Sequence, residues 1–185
     1  MHMSDRKPDV KVLALVGSLR AASVNRQIAE LAADVAPDGV TVTVFDGLGG
    51  LPFYNEDIDN ETDVPASVTA LRAAAADADA ALVVTPEYNG SIPGVLKNAI
   101  DWLSRPFGNS ALKDKPLAVI GGSLGRYGGC GRTTRRVSRS ASPGPASSRR
   151  SSSRCRCGRC RASIRGKAPN WRRTCATWWA SWPPK

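Results

Sequence analysis

The chain has 185 residues, room for one domain with an appendage, and its 26 Lys/Arg against 16 Asp/Glu give a net charge of +10. That average misleads: residues 1–129 hold all 16 acids with 11 Lys/Arg (net −5), and residues 130–185 hold 15 Lys/Arg and no acid (net +15). The single histidine, His2, argues against Ser-His-Asp chemistry and His-ligated metal, and a cysteine-free first 129 residues suits a cytoplasmic protein without a disulfide framework.

Val10–Val16 is a short apolar run ending at Gly17, which predicts a strand buried on both faces. It is far shorter than the roughly 20 residues of a membrane span. Ser23 is placed to cap a helix over Val24–Ala36, with Ile28, Leu31, Ala32 and Val35 on one face. Pro37-Asp38-Gly39 turns the chain into a second, β-branched strand, Val40–Phe45. A loop rich in Gly, Asn and Asp follows, Gly47 to Asp63. Val64–Ala76 reads as a helix and Ala80–Thr85 as a third strand. Ile92–Ser104 reads as a helix burying Val95, Leu96, Ala99, Ile100 and Leu103, and Pro116–Gly121 as a fourth strand.

This alternation predicts an α/β fold, a parallel sheet with helices on both faces and right-handed crossovers. Ligands of such sheets bind beyond the C-terminal strand ends, where strand order reverses. Three loops are marked out: 17–25, 86–94 and 121–129.

The first loop reads Gly17-Ser18-Leu19-Arg20-Ala21-Ala22-Ser23-Val24-Asn25-Arg26. A strand feeding such a loop at a helix N-terminus gathers backbone N–H groups, hydroxyls and a guanidinium for an anion. It lacks the Gly-Lys-Ser/Thr of a P-loop and the G-x-G-x-x-G of a dinucleotide fingerprint, which favours a monophosphate. A capped helix start with a surface Arg20 would show the same spacing. The second loop reads Pro86-Glu87-Tyr88-Asn89-Gly90-Ser91-Ile92-Pro93-Gly94. Tyr88 can lay a flat face near a planar ligand, Asn89-Gly90 can aim backbone N–H groups at its edge, and Ser91 is expected to cap the next helix. Lys97 and Asp101, four apart, read as a surface pair. The third loop, Gly121 to Gly129, has five glycines in nine residues, which allows close backbone approach to a ligand.

These loops together resemble the NADPH-dependent FMN reductase family of flavodoxin-like proteins. The resemblance rests on Gly17-Ser18-x-Arg20-x-x-Ser23-x-Asn25, on Leu51-Pro52-Phe53-Tyr54-Asn55-Glu56-Asp57, and on Pro86 to Gly94 followed by Leu96-Lys97-Asn98-x-x-Asp101. The glycine-rich segment through Gly129 also fits, so the likeness covers about residues 10–129. It implies a flavodoxin-like sheet of order 2-1-3-4-5, bound FMN, NADPH or NADH as donor, a small acceptor such as a quinone or flavin, and a homodimer or homotetramer. It implies that Ser18, Arg20, Ser23 and Asn25 hold the FMN phosphate. Pro86, Glu87, Tyr88, Asn89 and Gly90 would line the isoalloxazine, with Gly121, Gly122 and Ser123 beside the ring. No side chain is implied to be catalytic, because FMN N5 carries the hydride.

After Gly129 the pattern breaks. Stretches such as Ser147-Ser148-Arg149-Arg150-Ser151-Ser152-Ser153-Arg154 and Cys155-Arg156-Cys157-Gly158-Arg159-Cys160 keep neither helical nor strand period. Residues 8–129 are therefore expected to form the FMN-binding domain, and 130–185 an irregular Arg/Ser/Cys-rich tail that reads as a shifted-frame translation of a GC-rich gene. The family's last strand and helix are then expected to be absent or disrupted. Cys-x-Cys-x-x-Cys is poor spacing for structural zinc, and no metal is expected. Two other functions stay open: a flavin-binding electron carrier without NAD(P)H activity, and nucleic-acid binding through the basic tail.

Overall fold

The computed structural model describes residues 9–121. Its strands are β1 (Val10–Val16), β2 (Val40–Val44), β3 (Ala80–Thr85) and β4 (Leu117–Gly121), and its helices are α1 (Val24–Asp34), α2 (Ala66–Asp77) and α3 (Gly94–Leu103). All pairings are parallel, in the order β2-β1-β3-β4. This is the flavodoxin-like order over its first four strands. The expectations for Gly122, Ser123 and residues 130–185 lie outside the described residues.

Alternation along β1 supplies two cores. Val12, Ala14 and Val16 join Ala80, Leu82 and Val84 of β3 beneath Ile28, Ala29 and Ala32 of α1. Leu13, Leu15 and Val83 point the other way, against Val68 and Leu71 of α2 and Leu96 and Trp102 of α3. All six β3 residues are buried, as a strand covered on both faces requires. Each such side chain contributes about 1.5–3 kcal/mol on burial. The outer strand β2 differs: Val40, Val42 and Val44 pack toward α1 while Thr41 and Thr43 are exposed.

Prolines set the helix boundaries more tightly than hydrophobic period does. Val64 and Ile92 each precede a proline, which disfavours helical backbone there. Pro65 and Pro93 are themselves extended (ψ 141° and 147°), so α2 starts at Ala66 and α3 at Gly94. The loop expected from Gly47 to Asp63 contains two short 3-10 turns, Asp46–Gly50 and Glu56–Ile58. Arg72 braces the second against α3, pairing with Asp59 at 2.7 Å and donating to the Trp102 carbonyl at 3.1 Å.

The chain leaves β1 through α1 on one face, then runs β2-α2-β3-α3-β4 with both helices on the opposite face. Strand order therefore reverses between β1 and β3. The loops after these two strands diverge to opposite faces and leave a crevice between them.

Candidate functional site

The first two marked loops leave the sheet at the level where β4 ends. Gly17 N–H donates to the Val84 carbonyl at 2.8 Å, and Thr85 lies opposite Gly121 in register. A Cβ at Gly17 would stand 2.7 Å from Thr85 Oγ1, closer than side chains approach, so glycine is what lets the two strand ends sit together. Thr85 is buried and its hydroxyl donates to the Pro86 carbonyl at 2.9 Å.

In the first loop Ser23 caps α1, its hydroxyl oxygen accepting Arg26 N–H at 3.3 Å. The hydroxyl hydrogen is not used by that cap. Ser23 and Asn25 are both buried, Ser18 is half-buried, and Arg20 is exposed. Arg20 donates to the Ala22 carbonyl at 3.2 Å, and among the described residues it forms no ion pair.

The second loop folds differently from its expected helix start. Tyr88 and Ser91 exchange backbone hydrogen bonds of 2.9 Å each way. Asn89 and Gly90 between them both have positive φ (52° and 71°), the signature of a type I′ turn. Ser91 is thus spent on the turn and does not cap α3, whose N-cap is Pro93. The turn uses neither the Asn89 nor the Gly90 N–H, and it holds Tyr88 half in solvent, 51% exposed. Pro86 is buried and Glu87 half-buried.

Two neighbouring cavities share Leu19 and Arg20 as a common wall. One, of about 420 Å³, lies between Gly17 and Arg20 on one side and Tyr88, Pro93 and Val95 on the other. It occupies the crevice at the β1/β3 reversal. The other, of about 310 Å³, is lined by Ser18, Arg20, Arg26, Phe45, Asp46 and Leu48. Both fall in the range of small-molecule sites. Of the residues expected at the site, Ser18, Arg20 and Tyr88 line these cavities, while the buried Ser23 and Asn25, and Pro86, Glu87, Asn89 and Gly90, line neither. Gly121 ends β4 beside Thr85.

Other residues shape the site without having been assigned a role from sequence. Arg26 reaches from α1 to Asp46 at the start of the first 3-10 turn (2.5 Å) and to Glu30 (2.9 Å). Its hydrogen bond holds the Asp46 carboxyl below the ordinary carboxylate range and raises Arg26 in turn. Asn98, only 7% exposed, accepts Tyr54 N–H at 2.8 Å and donates to the Pro52 carbonyl at 2.9 Å. Trp102 Nε1 donates to the same carbonyl at 2.9 Å, so α3 grips the segment Leu51 to Tyr54 with two side chains one turn apart. An Asn four residues before a Trp on an otherwise apolar helix face was the available signal. The Lys97–Asp101 pair is formed on the surface, as the spacing predicts.

The family model for NADPH-dependent FMN reductases matches residues 10–137. The chain belongs to the NADPH-dependent FMN reductase family. The match passes residue 129, entering the segment read above as a tail. Among characterised relatives of this reductase family, the 2-hydroxy-1,4-benzoquinone reductase of a Burkholderia species is 49% identical over 119 residues, 64% of this chain and 63% of that protein. A quinone reductase of Pseudomonas putida is 47% identical over 120 residues, 65% of this chain and 63% of its own. The chain thus spans less than two-thirds of the length of these relatives. The flavoenzyme NAD(P)H:(acceptor) oxidoreductase FerB of Paracoccus denitrificans superposes with a TM-score of 0.65 at 35% identity, over 76% of this chain and 77% of that one. An azoreductase from Bacillus anthracis shares the fold (TM-score 0.52, 21% identity, 71% and 80% of the two chains).

Proposed function

We propose that this chain binds FMN across the crevice between the loops after β1 and β3 and catalyses electron transfer from NADPH or NADH to a quinone, flavin or similar small acceptor. One observation carries this reading: Arg20 lines both cavities, joining a polar pocket beside Ser18 to a larger one walled by Tyr88, Pro93 and Val95. A long ligand with an anionic end and a flat, mostly apolar end fits that pair. FMN is such a ligand.

In this reading Ser18, Arg20, Ser23 and Asn25 hold the phosphate. Arg20 supplies a charge-assisted contact, and the N-terminal amides of α1 add the favourable end of the helix dipole. Pro86, Glu87, Tyr88, Asn89 and Gly90 line the ring, with the unused N–H groups of the type I′ turn as donors to its polar edge. Gly121, Gly122 and Ser123 complete that side. When bound, FMN supplies reversible hydride and electron chemistry, which this chain's His and Cys inventory is not needed to provide. The protein's part would be to hold and orient the ring for its donor and acceptor.

Several coarser features accompany this reading. Among the described residues no helix is long and apolar enough to cross a membrane, and the reading carries a cytoplasmic enzyme, to which the cysteine-free first 129 residues are suited. The reading carries a homodimer or homotetramer, for whose interface Phe53 and Phe107, 85% and 77% exposed, are candidate residues. Residues 8–129 form the FMN-binding domain, and the basic tail after it is a shifted-frame translation with no nucleic-acid role.

Steady-state oxidation of NADPH and NADH with 1,4-benzoquinone as acceptor tests the activity. Parallel double-reciprocal lines are expected, because donor and acceptor use one face in turn. Retained FMN with no turnover of any acceptor would replace the enzyme by an electron carrier.

A further inference from the structure

The smaller cavity carries a second cation that the phosphate loop does not explain. Arg26 stands on α1 one turn past the Ser23 cap and lines this cavity together with Ser18 and Arg20. It is held there from both sides, by Glu30 at 2.9 Å through Nε and by Asp46 at 2.5 Å through Nη1. A guanidinium has five N–H donors, so two ion pairs leave three for a ligand. Asp46 lines the same cavity. The lining charges are therefore Arg20 and Arg26 against Asp46, a net of +1.

We propose that Arg26 is a further binding residue for the cofactor phosphate, and that Asp46 both fixes it and limits phosphate affinity. The proposal rests on the FMN reading above and extends it to two residues outside the phosphate loop. A phosphate monoester carries about −1.5 to −2 at neutral pH. Arg26 adds attraction from the side opposite the crevice, where the tethers keep its long side chain from paying the full entropy of ordering on binding. The Asp46 carboxylate sits on the same wall and repels the phosphate. Its removal raises the lining charge from +1 to +2, while Glu30 still anchors Arg26.

FMN and riboflavin differ only in the phosphate, so the ratio of their affinities isolates this contact. The full chain, Arg26→Ala and Asp46→Asn are titrated with each flavin by fluorescence quenching at low and high salt. Arg26→Ala is expected to weaken FMN by about tenfold or more, the cost of a lost charge-assisted hydrogen bond, and to leave riboflavin unchanged. Asp46→Asn is expected to tighten FMN by a smaller factor, again without moving riboflavin, and the gain should shrink in high salt. Equal shifts for both flavins in Arg26→Ala would overturn the proposal, as would weaker FMN binding in Asp46→Asn. A wild-type chain that fails to prefer FMN over riboflavin would instead overturn the FMN reading itself, and this inference with it.

Discussion

Asn98 accepts the backbone N–H of Tyr54 at 2.8 Å across 44 residues of sequence, and its amide nitrogen donates to the carbonyl of Pro52 at 2.9 Å. One buried side chain thus satisfies a donor and an acceptor of an irregular segment that has no strand partner of its own. Tyr54 then packs edge-on against Trp102, ring centres 4.9 Å apart. Asn98→Ala leaves the Tyr54 N–H without its acceptor, while the Pro52 carbonyl keeps Trp102 Nε1, and is expected to cost about 1–3 kcal/mol. A urea titration followed by circular dichroism should show the midpoint lowered with an unchanged slope.

Gly17→Ala tests the contact between the two strand ends. The added Cβ meets Thr85 Oγ1 at 2.7 Å and Leu96 Cδ2 at 3.2 Å, both in packed surroundings. Overpacking of this kind costs about 1–3 kcal/mol. Thr85→Ala in the same chain removes the offending hydroxyl, so the double variant should lose less stability than the two single losses added together. Strict additivity in that cycle would show that the added methyl does not meet the Thr85 hydroxyl.

The Arg26–Asp46 pair sets an acid-side dependence. Hydrogen bonding to Arg26 holds the folded Asp46 carboxyl below its ordinary value of 3.8. A carboxyl depressed on folding adds stability above its unfolded pKa, and that stability is lost as pH falls through the lower, folded value. The pair is exposed, so the effect is small and screened by salt. Unfolding of the wild type and of Asp46→Asn, compared from pH 6 downward, should converge in the acid. Curves that stay parallel below pH 3.8 would contradict the pairing.

The regular part of the fold was legible because two periods in the sequence are unambiguous. Val10–Val16 and Ala80–Thr85 are apolar at every or nearly every position, which only a doubly covered strand tolerates. Ser23 was legible as a cap because a short hydroxyl directly precedes a helical period. What escaped was set by non-local or backbone geometry. Ser91 looked like a cap by the same logic, but Asn89-Gly90 takes a type I′ turn and Pro93 fixes the helix start. Arg26 and Asp46 are 20 residues apart, and only the β1-α1-β2 crossover brings them together. Asn98 was visible as part of a motif, yet its partners, Pro52 and Tyr54, lie in a segment with no period to read.

FMN spanning the β1 and β3 loops is tested most directly by titrating the full chain with FMN, with Arg20→Ala in parallel. Saturable quenching of flavin fluorescence at one FMN per chain is expected for the wild type. Arg20 reaches both cavities, so its loss should weaken binding roughly ten- to a hundredfold, the equivalent of about 1.5–3 kcal/mol. Absence of saturable binding, or an Arg20→Ala chain that binds FMN as tightly as the wild type, would contradict it.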